Sequence, residues 1–102
     1  MGRASRKKPE RLPEKLLYIR SALGLSQNGL IRHLNYEDEL TQEYISGYER
    51  GLREPPLLIL LAYARAANVL VEVLIDDELD LPEQLPARAR SEGLRRMPRK
   101  TS

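Results

Sequence analysis

Amide, carboxylate and hydroxyl side chains gather in the stretch 41–56, TQEYISGYERGLREPP. On a helix, Ile45 and Tyr48 are spaced i and i+3 and point together into a core. Gln42, Glu43, Ser46 and Gly47 then lie elsewhere on the helix, so its first turn offers polar groups to a partner. Thr41 is placed to cap the helix start, its hydroxyl accepting from an otherwise orphan backbone N–H. Gly51 suits the left-handed position just past a helix end, and Pro55-Pro56 keep the helix from resuming before residue 56. A short helix bounded in this way is of a kind that a duplex major groove admits.

Composition removes most other chemistries. The chain has 102 residues, no cysteine and one histidine, His33. Disulfides and thiolate metal sites are therefore excluded, and a single imidazole argues against histidine metal cages and hydrolytic triads. There is no paired nucleophile and base and no glycine-rich phosphate loop, so an enzyme is the weakest reading and no cofactor is expected. His33 falls on the outward side of its helix and is read as plain surface. No apolar run approaches the ~20 residues that span a bilayer, and the start MGRASRKKPE lacks the apolar stretch of a secretory signal. A cytoplasmic, nucleoid-associated protein without membrane contact is the expectation.

The net charge of +2 conceals a segregation. Residues 1–11 hold five basic side chains against one acid, and residues 84–102 hold six against one. Residues 12–83 hold six basic against thirteen acidic side chains, a net of −7. Basic arms on an acidic body suggest tails that follow phosphate, with Lys7 and Lys8 as contacts; solubilising ends are the plainer reading.

Period and punctuation organise the rest. A first helix is expected over 13–23, with Pro13 at its first position, Leu16, Leu17, Ile19 and Leu23 as an apolar stripe, Arg20 beside it and Gly24 as its stop. Ser26 caps a second helix over 27–34, in which Leu30, Ile31 and Leu34 face inward and Gly29 costs roughly 1 kcal/mol against alanine. After the third helix, a fourth over 56–67 is apolar on most faces, and Asn68 is a left-handed stop. The next stretch, VLVEVLIDDELDLP, satisfies both strand and helix periods. A lone strand has no partner to pair with, so a short fifth helix is preferred. The organisation is a basic disordered arm over 1–11, an all-α five-helix domain over 12–81, and a disordered basic tail over 82–102.

Three segments in order, LGLSQNGLIRHL, TQEYISGYERGLREPP and LLAYARAANVLVEVLI, resemble the Cro/cI-type, or XRE-type, helix-turn-helix family. The family frame falls on Leu25-Ser26-Gln27, on the run Ile45 to Gly51, on Arg53-Glu54-Pro55, and on Leu60 to Val69, together spanning about residues 13–76. The resemblance implies a compact lambda-repressor-like domain in which the second and third helices form the helix-turn-helix. It also implies roles. Gln27 would meet a phosphate, and Gln42 would bond adenine N6 and N7. Glu43, Ser46 and Gly47 would lie along the groove, with Glu43 able to accept from cytosine N4. Arg50 and Arg53 would clamp phosphates, and Tyr44 would lie against sugar, phosphate or a thymine methyl. Ile45 and Tyr48 are core positions, with Glu49 an ion-pair partner such as for Arg53.

Two departures stand out. Asn35 stands where the family favours glycine, and Tyr36-Glu37-Asp38-Glu39 reads as an insertion whose acids weaken phosphate attraction. Leu70 stands where a capping serine is usual, which leaves Leu70, Val71, Leu74 and Ile75 as a candidate dimer interface. The leading expectation is a homodimeric, sequence-specific regulator of double-stranded DNA, acting as a repressor on a palindromic operator. The alternative is an antitoxin-like or adaptor module binding a protein partner through the same fold.

Overall fold

The computed structural model describes residues 7–87. Five helices follow in order: α1 (Leu12–Leu23), α2 (Gln27–Leu34), α3 (Gln42–Glu49), α4 (Leu57–Ala67) and α5 (Val71–Ile75). There is no strand among the described residues, so the helical reading of 71–75 holds over the extended one.

Helix ends follow local chemistry. Gly24, Asn35, Gly51 and Asn68 all have positive φ, between 60° and 76°. Each closes its helix with the same pair of bonds. After α3, Gly51 N–H donates to Tyr48 C=O and Leu52 N–H to Gly47 C=O, which satisfies carbonyls left without a turn above them. Ser26 caps α2 through its side chain, which accepts from Gly29 N–H at 2.9 Å. Thr41 occupies the corresponding position of α3, but its hydroxyl makes no capping bond, contrary to expectation. Two proline boundaries also shift by one residue. Helix α1 begins at Leu12, whose side chain is buried, and Pro56 is the extended residue before α4 rather than its first turn.

Helix α1 is the hub, packing on α3, α4 and α5, while α2 packs on α3 and α4. Leu16, Ile19, Leu30, Ile45, Tyr63 and Leu74 are the largest side chains wholly sealed in the core. Leu74 is therefore not surface, which removes it from the proposed interface: in a five-residue helix the one inward position is this leucine. Around it, Leu70 and Ile75 remain exposed and Val71 is half-buried.

A lysine locks α5 to α1. Lys15 is buried, and its Nζ donates to the carbonyls of Val73, Asp76 and Leu79 at 2.8, 3.0 and 2.8 Å. Three acceptors fill the three donors of an ammonium, which offsets its burial; burial nevertheless draws its pKa below the usual lysine value. Asp77 returns the link, accepting the backbone N–H groups of Glu10 and Arg11 at 2.9 and 3.0 Å just before α1. Those two bonds hold the Asp77 carboxyl below its ordinary range.

Both expected domain limits move as a result. Arg11 belongs to the body, its guanidinium bonded to Asp80 and to the Asp77 carbonyl. Residues 82–87 also pack on the body instead of starting the tail. Tyr18 donates its hydroxyl to the carbonyls of Pro82 and Glu83, Asn68 donates to Pro86 C=O at 2.8 Å, and Leu81 and Leu85 rest on the core. The remainder of the expected tail, 88–102, and the arm residues 1–6 lie outside the described residues.

Candidate nucleic-acid interface

The first turn of α3 is held by a chain of hydrogen bonds that begins on α1. Arg20 grips Glu49 with two bonds, Nε to Oε2 at 2.5 Å and Nη2 to Oε1 at 2.9 Å. A fork-to-carboxylate pair fixes both side chains in direction as well as distance. The pair is largely enclosed, with side-chain exposures of 18% and 5%, and the carboxylate raises the Arg20 pKa. Arg20 also donates to Leu25 C=O at 3.0 Å, which ties the turn between α1 and α2. Glu49 Oε1 then accepts from Gln27 Nε2 at 3.1 Å, and Gln27 Oε1 accepts from Gln42 Nε2 at 3.1 Å.

Each link fixes the orientation of the next. Glu49 can only accept, so Gln27 must turn its amide nitrogen inward and its oxygen outward. That oxygen takes one of the two Gln42 N–H donors. Gln42 is exposed, with its amide oxygen and second N–H left for a partner. An acceptor and a donor side by side on a planar amide complement adenine N6–H and N7.

The outward face of α3 is a shallow depression lined by Glu43, Ser46, Gly47, Arg50, Leu52 and Arg53. Glu43 and Arg50 are exposed and Ser46 is half-buried. The loop after α3 folds back so that Arg53 N–H reaches the Gly47 carbonyl and the Arg53 side chain crosses α3. Its guanidinium carbon lies 4.4 Å from the centre of the Tyr44 ring, a cation–π arrangement. Tyr44 in turn packs on Tyr48, with ring centres 6.5 Å apart. Tyr44 is thus a platform that aims Arg53. Gly47 is buried below the Arg53 stem; a Cβ there would lie 3.0 Å from Arg53 Cδ. Gly47, expected along a groove, lines the depression beneath the Arg53 stem, where its small size makes room for Arg53. The suggested Glu49–Arg53 pair is also replaced, because Glu49 is committed to Arg20.

Lys7 and Lys8, both exposed, line a groove with Pro13, Leu52 and Arg53, between the N-terminal segment and the loop after α3. Arg53 lines both this groove and the depression over α3, so the N-terminal lysines and the arginines that follow α3 border one side of the molecule. Glu37, Asp38 and Glu39 are exposed in a tight turn rooted on the Tyr36 carbonyl, which accepts from Glu39 and Leu40 N–H. The expected contacts Gln27, Gln42, Glu43, Ser46, Arg50 and Arg53 thus come together around α3, with Tyr44 as support. Leu70, Val71 and Ile75 belong to α5 and its start, and α5 packs on α1 and α4.

The sequence reading missed Arg20 and Glu49 as an orienting pair. They stand 29 residues apart, and the only local signal was a charge placed beside the apolar stripe of α1. Among the described residues no cluster of three histidine, aspartate or glutamate groups could hold a metal ion, and no helix is long and apolar enough to cross a membrane. No family model matches the chain, and no curated protein or solved structure matches it either.

Proposed function

We propose that this protein is a sequence-specific regulator of double-stranded DNA, built as a lambda-repressor-like helix-turn-helix with α3 as the recognition helix. One observation carries the reading: exposed Gln42 has one N–H fixed by the Gln27–Glu49–Arg20 chain and keeps the donor–acceptor edge that adenine requires. A glutamine that served only as solvated surface gains nothing from being oriented, since ordering a long side chain costs conformational entropy. Phosphate contacts then fall to Arg50, to Arg53 on its Tyr44 platform, and to Lys7 and Lys8. Base reading falls to Gln42, Glu43 and Ser46.

Two copies joined through Leu70, Val71 and Ile75 would present two such helices about one helical turn of DNA apart and read a palindrome. The acidic turn at 37–39 lowers attraction beside α3, so affinity depends on the arginines and lysines named above. Repression follows where such an operator overlaps a promoter. Selection from a random duplex pool with the purified chain tests the proposal, with its mass measured in solution alongside. An enriched inverted repeat is the expected result. A pool without enrichment defeats it.

A further inference from the structure

The acidic turn and a partly apolar groove share Tyr36, and the described chain stops near Asn68, just past the groove residues Arg65 and Ala66. Leu58, Leu61 and Ala62 of α4 line this groove together with Tyr36, His33 and Arg65. Leu58 is 66% exposed, a large apolar surface left open on a small domain. Tyr36 is also the root of the turn that displays Glu37, Asp38 and Glu39. Asn68 follows Arg65 by three residues and holds the Pro86 carbonyl at 2.8 Å. The chain beyond residue 87 therefore sets out from near Arg65.

We propose that segment 88–102 of this chain docks in that groove, with Leu94 and Met97 on the α4 leucines and its arginines against the 37–39 turn. Reach permits it. Seven residues from Ala87 to Leu94 span up to about 23 Å, while Leu58 to Ala66 along α4 covers about 12 Å. Charge fits as well. The segment, RARSEGLRRMPRKTS, carries six basic side chains against one acid, Glu92. Four of them, Arg95, Arg96, Arg99 and Lys100, follow Leu94, and the turn displays three exposed acids, Glu37, Asp38 and Glu39. Opposite charge on the two partners favours their association. Leu94 and Met97 supply the apolar pair that an uninterrupted basic tail lacks. The inference does not rest on DNA binding; it makes this segment a cover for the acidic turn rather than a second phosphate arm.

The chain contains no cysteine, so Thr101→Cys gives the full-length protein a single site for a nitroxide label. Docking predicts loss of the amide signals of Tyr36, Glu37–Glu39, Leu58 and Ala62 in the isotope-labelled, spin-labelled chain, and their return on reduction of the nitroxide. In a Leu94→Ser/Met97→Ser background, outside the described body, those signals should stay sharp while the dispersion of the core resonances is unchanged. Full-intensity groove signals in the parent chain overturn the proposal, as does loss that persists in the double variant. A sample mixing isotope-labelled, label-free chains with unlabelled, spin-labelled chains separates the occupants. Signal loss there assigns the groove to a second copy and overturns docking within one chain.

Discussion

Removing Arg20 while leaving Glu49 in place tests the support of α3 most severely. Arg20→Met keeps an unbranched stem and deletes the three donors that reach Glu49 and the Leu25 carbonyl. Glu49 would then be a carboxylate of 5% exposure with only the Gln27 amide for company. Breaking a buried pair at one partner costs about 3–5 kcal/mol; the 18% exposure of Arg20 places the loss near ~3 kcal/mol. For a domain of this size that corresponds to roughly 12–24 °C in Tm. Urea and thermal unfolding followed by far-ultraviolet circular dichroism would measure it.

Arg20→Met/Glu49→Leu removes both charges and should return stability to within about 1 kcal/mol of the parent, because the penalty belongs to the stranded carboxylate and not to the lost pair. Yet Gln27 would have lost the acceptor that turns it, so duplex affinity should stay low although the fold is restored. A cost below about 1 kcal/mol for Arg20→Met would show that the pair is screened like a surface contact. A double variant no more stable than either single one would refute the ledger as well.

Gly47→Ala gains about 1 kcal/mol of helix propensity and gives up the Arg53–Tyr44 stacking, about 0.5–1 kcal/mol at an exposed site. Its melting point should therefore barely move, while affinity for all duplexes falls as Arg53 is pushed aside; a large loss of stability would mean that the Arg53 stem cannot yield. Tyr63→Phe should leave stability unchanged or raise it by up to about 1 kcal/mol in denaturant titration, since the buried Tyr63 hydroxyl has no partner among the described residues. A clear destabilisation would reveal a bond to that oxygen. For Asp77, the bonds from Glu10 and Arg11 place its folded pKa below the ordinary 3.8, so its contribution is complete above that value and is lost as pH falls through the lower one. Asp77→Asn should be less stable than the parent at neutral pH, with the gap closing in acid below about 3.8; a gap independent of pH would contradict the cap.

What could be read from the sequence is what is decided within a few residues. Gly24, Asn35, Gly51 and Asn68 stop their helices because glycine and asparagine tolerate the left-handed backbone, and Ser26 caps α2 because the accepting N–H lies three residues away. Thr41 shows the limit even there, since side-chain type permits a cap without compelling it. What escaped the sequence is set by tertiary distance. Lys15 looks like ordinary polar surface, and only folding brings the carbonyls of Val73, Asp76 and Leu79 around its ammonium. Leu74 sits in a segment too short for periodicity to choose its inward face. Pro82 to Pro86 has the composition of a loose tail, but Tyr18 and Asn68 capture its carbonyls from helices far away in the chain. At the candidate interface, Gln42 and Gln27 were legible as polar groups at two helix starts. Their mutual bond, and its anchorage on Glu49 and Arg20, were not.

Parallel duplex selection with the parent and with Gln42→Ala shows whether this side chain reads a base. Gln42 is exposed and outside the core, so the variant should melt with the parent and any change should lie in reading alone. The parent should enrich an inverted repeat with an adenine in each half-site. In the variant, preference at that one position should be relaxed by about 1–3 kcal/mol and retained elsewhere. Identical preferences for the two proteins, or no enriched sequence for either, would contradict base reading by Gln42.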